Sequence, residues 1–179
     1  MSADEDCMVL ALKAAEAALA LGEFPVGCVI MQGSDVVVTG ARQGTGDGEK
    51  RASELDHAEI LALRQLELLD IDRGALTLYC TMEPCLMCFA AIMLSGIKKV
   101  VFAYEDVMGG GTNCDRNALS PLYRDCGVQM IPGVMRGESL GLFYQFFNRP
   151  QNVYWRGSLL ERYTLEQGGR FSGGSDINK

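Results

Sequence analysis

The sequence predicts an α/β fold: three layers, α-β-α, built on a mixed five-stranded sheet. Three observations carry this. The near-continuous apolar run Val26-Gly-Cys-Val-Ile-Met31 has the make-up of a strand covered on both faces. A short turn at Gln32-Gly33-Ser34 returns it as Asp35-Val36-Val37-Val38-Thr39, a β-hairpin. After residue 75 strands alternate with helices, which implies a right-handed crossover and parallel pairing. Helical segments around these strands supply the two outer layers.

Each element has its own signal. From Asp6 to Leu21 apolar residues recur at helical spacing in an Ala-rich stretch free of Pro and Gly, and Gly22 is placed to end the helix. Glu23-Phe24-Pro25 forms a turn, because Pro25 drives Phe24 to an extended conformation. Residues 43–55 are polar and glycine-rich and form a long surface loop. Asp56 can cap a helix carrying Ile60, Leu61, Leu63, Leu66 and Leu69, and Arg73-Gly74 breaks it. Ala75 to Thr81 is rich in β formers and makes the third strand. Pro84 suits the first turn of a helix running from Cys85 to about Ser95, with Gly96 as its stop. Lys98 to Ala103 is the fourth strand, Tyr104 to Asn117 a second glycine-rich loop, and Val128 to Pro132 a short fifth strand. Glu138 to Phe147 carries an apolar stripe, Tyr154 to Gln167 reads as a further helix, and the small polar residues from Gly168 onward predict a frayed tail. Residues 1–150 therefore read as one domain, and 151–179 as a helical extension with a flexible tail.

Composition narrows the function. With 48% apolar residues in 179, the chain can bury a sizeable core. No apolar run reaches membrane-span length, and the acidic start Met1-Ser2-Ala3-Asp4-Glu5-Asp6 lacks the basic region of a secretory signal, so a cytoplasmic protein is expected. Net charge is −7, which opposes a broad nucleic-acid surface. From Arg136 onward bases outnumber acids, which leaves room for a local basic face. Seven scattered cysteines form no disulfide framework; a close Cys-x-x-Cys pair in a reducing compartment points to metal or redox work.

That pair is Cys85 and Cys88, in Glu83-Pro84-Cys85-Leu86-Met87-Cys88, and it is read together with His57-Ala58-Glu59. Positions i and i+3 share a helix face, so both thiols can reach one ion. At a helix start, backbone N–H groups and the positive dipole end favour thiolate, the ligand form. His57 is the only histidine. His57, Cys85 and Cys88 thus offer three zinc ligands and leave a fourth position for water. Glu59 lies two residues on, about 200° around an ideal helix, where it is free to move the water's protons. Alternatives are a thiol redox pair at Cys85 and Cys88, or a structural zinc completed by Cys80 or Cys114.

The conjunction of His-x-Glu with Pro-Cys-x-x-Cys, each opening a helix, is the signature of zinc-dependent nucleobase deaminases. The chain resembles the cytidine/deoxycytidylate deaminase superfamily, and within it the tRNA-specific adenosine deaminases and the related guanine and cytosine deaminases. The matching segments are Gly22-Glu-Phe-Pro-Val-Gly27, His57-Ala-Glu-Ile-Leu-Ala-Leu-Arg64 and Thr77-Leu-Tyr-Cys-Thr-Met-Glu-Pro-Cys-Leu-Met-Cys88. The resemblance implies one Zn2+ on His57, Cys85 and Cys88, with Glu59 as the catalytic proton shuttle. It implies backbone groups of Ala58 and Cys85 near the attacked carbon, a pocket wall from Phe24, Pro25 and Val26, and a homodimer. The implied activity is hydrolytic deamination of a nucleobase, adenosine to inosine in tRNA first, with a free base or nucleotide (cytosine, guanine, CMP or dCMP) as the alternative. A non-catalytic zinc-binding partner subunit is a further reading, against which the presence of Glu59 speaks. Two departures from the tRNA enzymes stand out: Thr39-Gly40-Ala41-Arg42-Gln43 lacks the Asn that they carry after the second strand, and the C-terminal segment mixes Arg156 and Arg162 with Glu161 and Glu166.

Overall fold

The structure is a computed structural model and describes residues 2–45 and 52–172; residues 46–51 of the first glycine-rich loop and the tail from 173 lie outside the described residues. The chain runs α1 (Ala3–Ala20), β1 (Gly27–Gln32), β2 (Asp35–Ala41), α2 (Ala58–Leu66), β3 (Leu76–Met82), α3 (Leu86–Ser95), β4 (Lys99–Tyr104), a single-turn α4 (Pro121–Arg124), β5 (Gln129–Ile131), α5 (Arg136–Phe147) and α6 (Leu159–Ser172). The five strands lie in the order β2-β1-β3-β4-β5. β1 is antiparallel to both β2 and β3, and β3, β4 and β5 are parallel. The mixed sheet and the predicted hairpin are thus both present.

Helix α1 starts in a reciprocal capping box between Ser2 and Glu5. Its first turn is tied to the sheet at Asp4, whose carboxylate accepts from the Tyr79 hydroxyl and the Lys99 ammonium, each at 2.7 Å. Helices α1 and α5 contact the central strands and each other, whereas α2 packs on β1 and β2 and against α3. Residues such as Ile30, Leu78 and Val100 are fully buried in the sheet between these layers, which is why β1, β3 and β4 are apolar almost throughout rather than alternating. Among the described residues no helix is long and apolar enough to cross a membrane.

Several boundaries differ from the sequence reading, each for a local reason. Asp56 does not cap α2: its carboxylate accepts from the Ser53 hydroxyl at 2.6 Å. His57 is the N-cap instead, extended at φ −70° and ψ 149°, without a side-chain cap bond. The helix stops at Leu66, short of Leu69. Cys85 is likewise an N-cap rather than a first-turn residue, so Pro84 precedes α3 instead of opening it. Gly96 ends α3 as expected, in the left-handed conformation. Residues 154–158 are not helical, and α6 continues past the expected tail through Gly168 and Gly169 to Ser172. The glycine pair reads as a breaker, but Gly168 sits where α6 crosses α5 so closely that a β-carbon would stand 2.0 Å from Cδ2 of Tyr144. The absent side chain is the condition for that contact.

Candidate metal centre

Two helix starts bring the donors together. His57 ends the loop after β2, and Cys85 ends the short connection after β3, so both N-caps lie at one end of the sheet, where α/β folds place their ligands. Cys88 is one turn into α3 and fully buried. The Nδ1 of His57 lies 3.5 Å from Cys85 Sγ and 3.4 Å from Cys88 Sγ. All three donor atoms fall within 4.8 Å of one another. A tetrahedral zinc, with bonds of about 2.3 Å to sulfur and about 2.0 Å to nitrogen, sets its ligand atoms roughly 3.5–3.8 Å apart. The donor set therefore fits the ion in chemistry and in spacing. Among the described residues the cluster comprises these three side chains, without Cys80 or Cys114. Among the described residues there is no fourth protein ligand of the kind a closed structural site has.

Hydrogen bonds among the three donors couple their electrostatics. The hydrogen bond from Cys88, aided by His57, draws the Cys85 thiol down to about 4. Cys88, which shares that proton, is pushed up. His57 is raised, chiefly by its hydrogen bond to Cys85. Metal binding requires thiolates and neutral imidazole, and a divalent ion would displace the remaining protons.

Glu59, the second residue of α2, is only 3% exposed. Its Oε2 is buried with no hydrogen-bond partner among the described residues. Burial raises its pKa above that of an ordinary carboxylate. An orphaned buried carboxylate oxygen is costly and marks a site that needs a partner.

A cavity of about 280 Å3 opens over these groups. His57, Ala58, Glu59 and Cys85 lie on its wall, with Phe24 and Val26 from the approach to β1. Pro25 is not among the lining residues; it is buried, and its carbonyl accepts from the Thr81 hydroxyl at 3.4 Å. Phe24 has two roles, since its ring also packs against Phe143 and Phe146 with centroids 5.1 and 5.2 Å away. Ala58 is fully buried under the cavity.

Other lining residues were not singled out from the sequence. Arg42 occupies the stretch that lacks the Asn, and it is 3% exposed. One of its terminal nitrogens donates to the Ser53 carbonyl at 2.5 Å and to the Tyr154 hydroxyl at 3.3 Å. Tyr154, Trp155 and Leu160 bring the C-terminal segment to the cavity, and Asp106, Met108 and Gly109 bring the loop after β4. Glu83 holds that loop in place: its carboxylate accepts from the backbone N–H of Asp106 at 3.1 Å and of Thr112 at 3.2 Å. The Gly111 N–H donates to the Pro84 carbonyl at 2.9 Å, and Cys85 and Gly110 form an isolated β-bridge. The triple glycine at 109–111 was the available signal, since backbone can come this close only where side chains are absent.

Fold and donor set define a zinc-binding enzyme of the deaminase class. Residues 1–104 match the family model described as the cytidine and deoxycytidylate deaminase zinc-binding region, and the chain belongs to that family. The tRNA-specific adenosine deaminase of Haemophilus influenzae is 34% identical over 153 residues, which is 82% of this chain and 84% of the relative. A solved structure from work on A-to-I editing by tRNA:A34 deaminases is 29% identical, superposes with a TM-score of 0.60, and covers 75% of this chain and 96% of its own. A guanine deaminase from Nitrosomonas europaea shares the fold at 23% identity, with a TM-score of 0.64 over 82% of this chain and 85% of its own.

Proposed function

We propose that the chain catalyses hydrolytic deamination of an amino-substituted nucleobase, with adenosine in tRNA as the substrate. The observation that carries this reading is the buried Glu59 carboxylate, its Oε2 without a hydrogen-bond partner among the described residues, beside a three-donor set. His57, Cys85 and Cys88 would hold a zinc ion, which would lower the pKa of a water bound to it. Glu59 takes one proton from the water and delivers it to a ring nitrogen of the base, then takes the second from the hydroxyl added to the ring carbon and gives it to the departing amine. The balance is one water consumed, one C–N bond broken, one C–O bond made and one ammonia released. A raised pKa suits a group that must both accept and return a proton. The backbone of Ala58 and Cys85 orients the reacting carbon, while Phe24 and Val26 wall the base. Residues 1–150 serve as the deaminase unit, residues 151–179 as an extension that finishes the cavity, and the whole works as a cytoplasmic homodimer. Light scattering at twice 19.5 kDa checks the assembly.

The tRNA reading draws its support from the relatives. A free base or nucleotide is the second reading, favoured by one specific feature: buried Arg42 lies in the stretch that lacks the Asn of the tRNA enzymes, and the acids Glu54, Glu59, Glu83 and Asp106 are among the residues that line the cavity with it. The experiment is ammonia release from tRNA with adenosine at the wobble position, and separately from cytosine, guanine, adenine and dCMP. Release from small molecules alone would sink the tRNA reading. Glu59→Ala is expected to keep zinc and lose turnover by about 10²–10⁴-fold.

A further inference from the structure

Residues 153–158 belong to no helix or strand and bring Tyr154 and Trp155 to the cavity. Two neighbouring aromatics from this segment line it in different ways. Tyr154 is locked: its ring packs against Phe24 at 5.4 Å and Phe146 at 6.4 Å, and its hydroxyl accepts from Arg42 and donates to Glu54 at 3.2 Å. Trp155 joins that cluster through Tyr154, by a side-chain hydrogen bond and an edge-on ring contact at 5.6 Å; among the described residues Tyr154 is its one ring neighbour, and 40% of Trp155 is exposed.

Trp155 also has a left-handed backbone, φ +56°, one of two such non-glycine residues in the described chain. Bulky side chains rarely adopt this conformation, and it persists only where the surroundings impose it, most often at functional sites. Here it lies between Tyr154 and a turn at Gly157 (φ +75°), and the Trp155 carbonyl accepts from the Ser158 N–H at 3.1 Å. The result is a large, flat, partly uncovered indole held at the rim of an apolar-walled cavity above the metal donors. Tyr154 holds it by ring contact and a side-chain hydrogen bond, and 40% of the residue is left exposed.

We propose that Trp155 is a specificity-determining residue, whose indole face stacks on the ring of the nucleobase held in the cavity. The proposal rests on the deaminase reading of this cavity. Stacking on an aromatic face tolerates every base, because each has a π-face, and its strength grows with the ring area covered. Trp155 therefore contributes more for purines than for pyrimidines. Its location in the segment after residue 150 separates base holding from the metal and proton machinery.

Trp155 is the only tryptophan in the chain, so indole emission reports on this residue alone. Zinc-loaded Glu59→Gln protein is titrated with guanine, cytosine, adenosine and an anticodon stem-loop bearing adenosine at the wobble position. Saturable quenching by at least one of them is expected; no quenching by any of the four overturns the proposal. Wild-type, Trp155→Phe and Trp155→Gly enzymes are then compared on the substrate that the wild type turns over. Loss of a stacking partner corresponds to roughly 10–100-fold in KM, with kcat changed little, and Trp155→Phe is expected to recover most of it. Trp155→Gly relaxes the backbone, so its Tm and zinc content are expected to be no lower than wild type. A Trp155→Gly enzyme with unchanged KM overturns the proposal. If no candidate is deaminated, the deaminase reading falls, while quenching by a bound base still supports stacking.

Discussion

Glu83 and Gly110 meet with no room between them: a β-carbon on Gly110 would stand 2.5 Å from the Glu83 Oε2 and 2.6 Å from the Asp106 carbonyl oxygen. The residue that precedes Pro84 and Cys85 is thereby clamped by the loop after β4. Gly110→Ala must move either the carboxylate or the backbone beside the metal donors. A loss of about 2–4 kcal/mol is expected, read as a fall of several degrees in Tm, with zinc held less tightly in a chelator competition.

Metal removal has a sharper signature. An ion that binds only the folded chain stabilises it by about 4 kcal/mol at a thousandfold excess over its dissociation constant. Chelation is therefore expected to lower Tm by several degrees, reversibly on zinc return. His57→Ala and Cys88→Ala are expected to drop zinc from one per chain to near none by elemental analysis. Cys80→Ala is expected to keep it, because Cys80 lies outside the donor cluster. Normal zinc in His57→Ala would refute the assignment of donors.

A cluster away from the cavity predicts an acid-sensitive link. Glu105 accepts from Arg136 Nε at 2.7 Å and from the Tyr163 hydroxyl at 2.6 Å, joining β4 to α5 and α6. Partial burial works to raise its pKa, but these hydrogen bonds outweigh burial and hold it below 4.5. A depressed carboxylate contributes stability above its unfolded value and loses that contribution as pH falls through the folded one. Glu105→Gln is expected to cost about 1–2 kcal/mol near neutrality. The gap from wild type should close as pH drops below about 4.5, followed by urea unfolding at a series of pH values. A gap that stays constant down to pH 3 would contradict the assignment.

Adjacent glycines in α6 should respond in opposite directions. Gly168→Ala places a methyl group into the Tyr144 ring and is expected to loosen α6 from α5 by about 2–3 kcal/mol. Gly169 is exposed with open space where its β-carbon would go. Gly169→Ala should therefore stabilise by about 0.5–1 kcal/mol through helix propensity. Hydrogen exchange across residues 159–170 would separate the two.

Those same glycines mark where sequence reasoning stops. The strands, the hairpin, the parallel pairing after residue 75 and the three donors were readable, because apolar runs and ligand spacing are local signals. Gly168 reads as a helix breaker because its partner, Tyr144, lies on another helix. Asp56 reads as a cap because its competing partner, Ser53, sits in a loop without periodicity. Glu83 is next to the most informative motif in the chain, yet its role depends on N–H groups 23 and 29 residues downstream. Arg42, Tyr154 and Trp155 meet at the cavity from positions more than 110 residues apart, as the Arg42–Tyr154 hydrogen bond records with its separation of 112. Local pattern identifies the chemistry, while the shape around it comes from long-range closure.

The cavity wall has an order in time as well as in space. All three metal donors are present once residue 88 has been made, and the family-defining segment ends at residue 104. The last wall residues, Tyr154, Trp155 and Leu160, come some seventy residues after Cys88, a difference of 160 − 88 = 72 for Leu160. On a chain leaving the ribosome, a complete set of metal donors therefore precedes a complete binding chamber. The same spacing lets the two evolve separately: substitutions after residue 150 can reshape what the chamber admits while every atom that holds the ion stays in place.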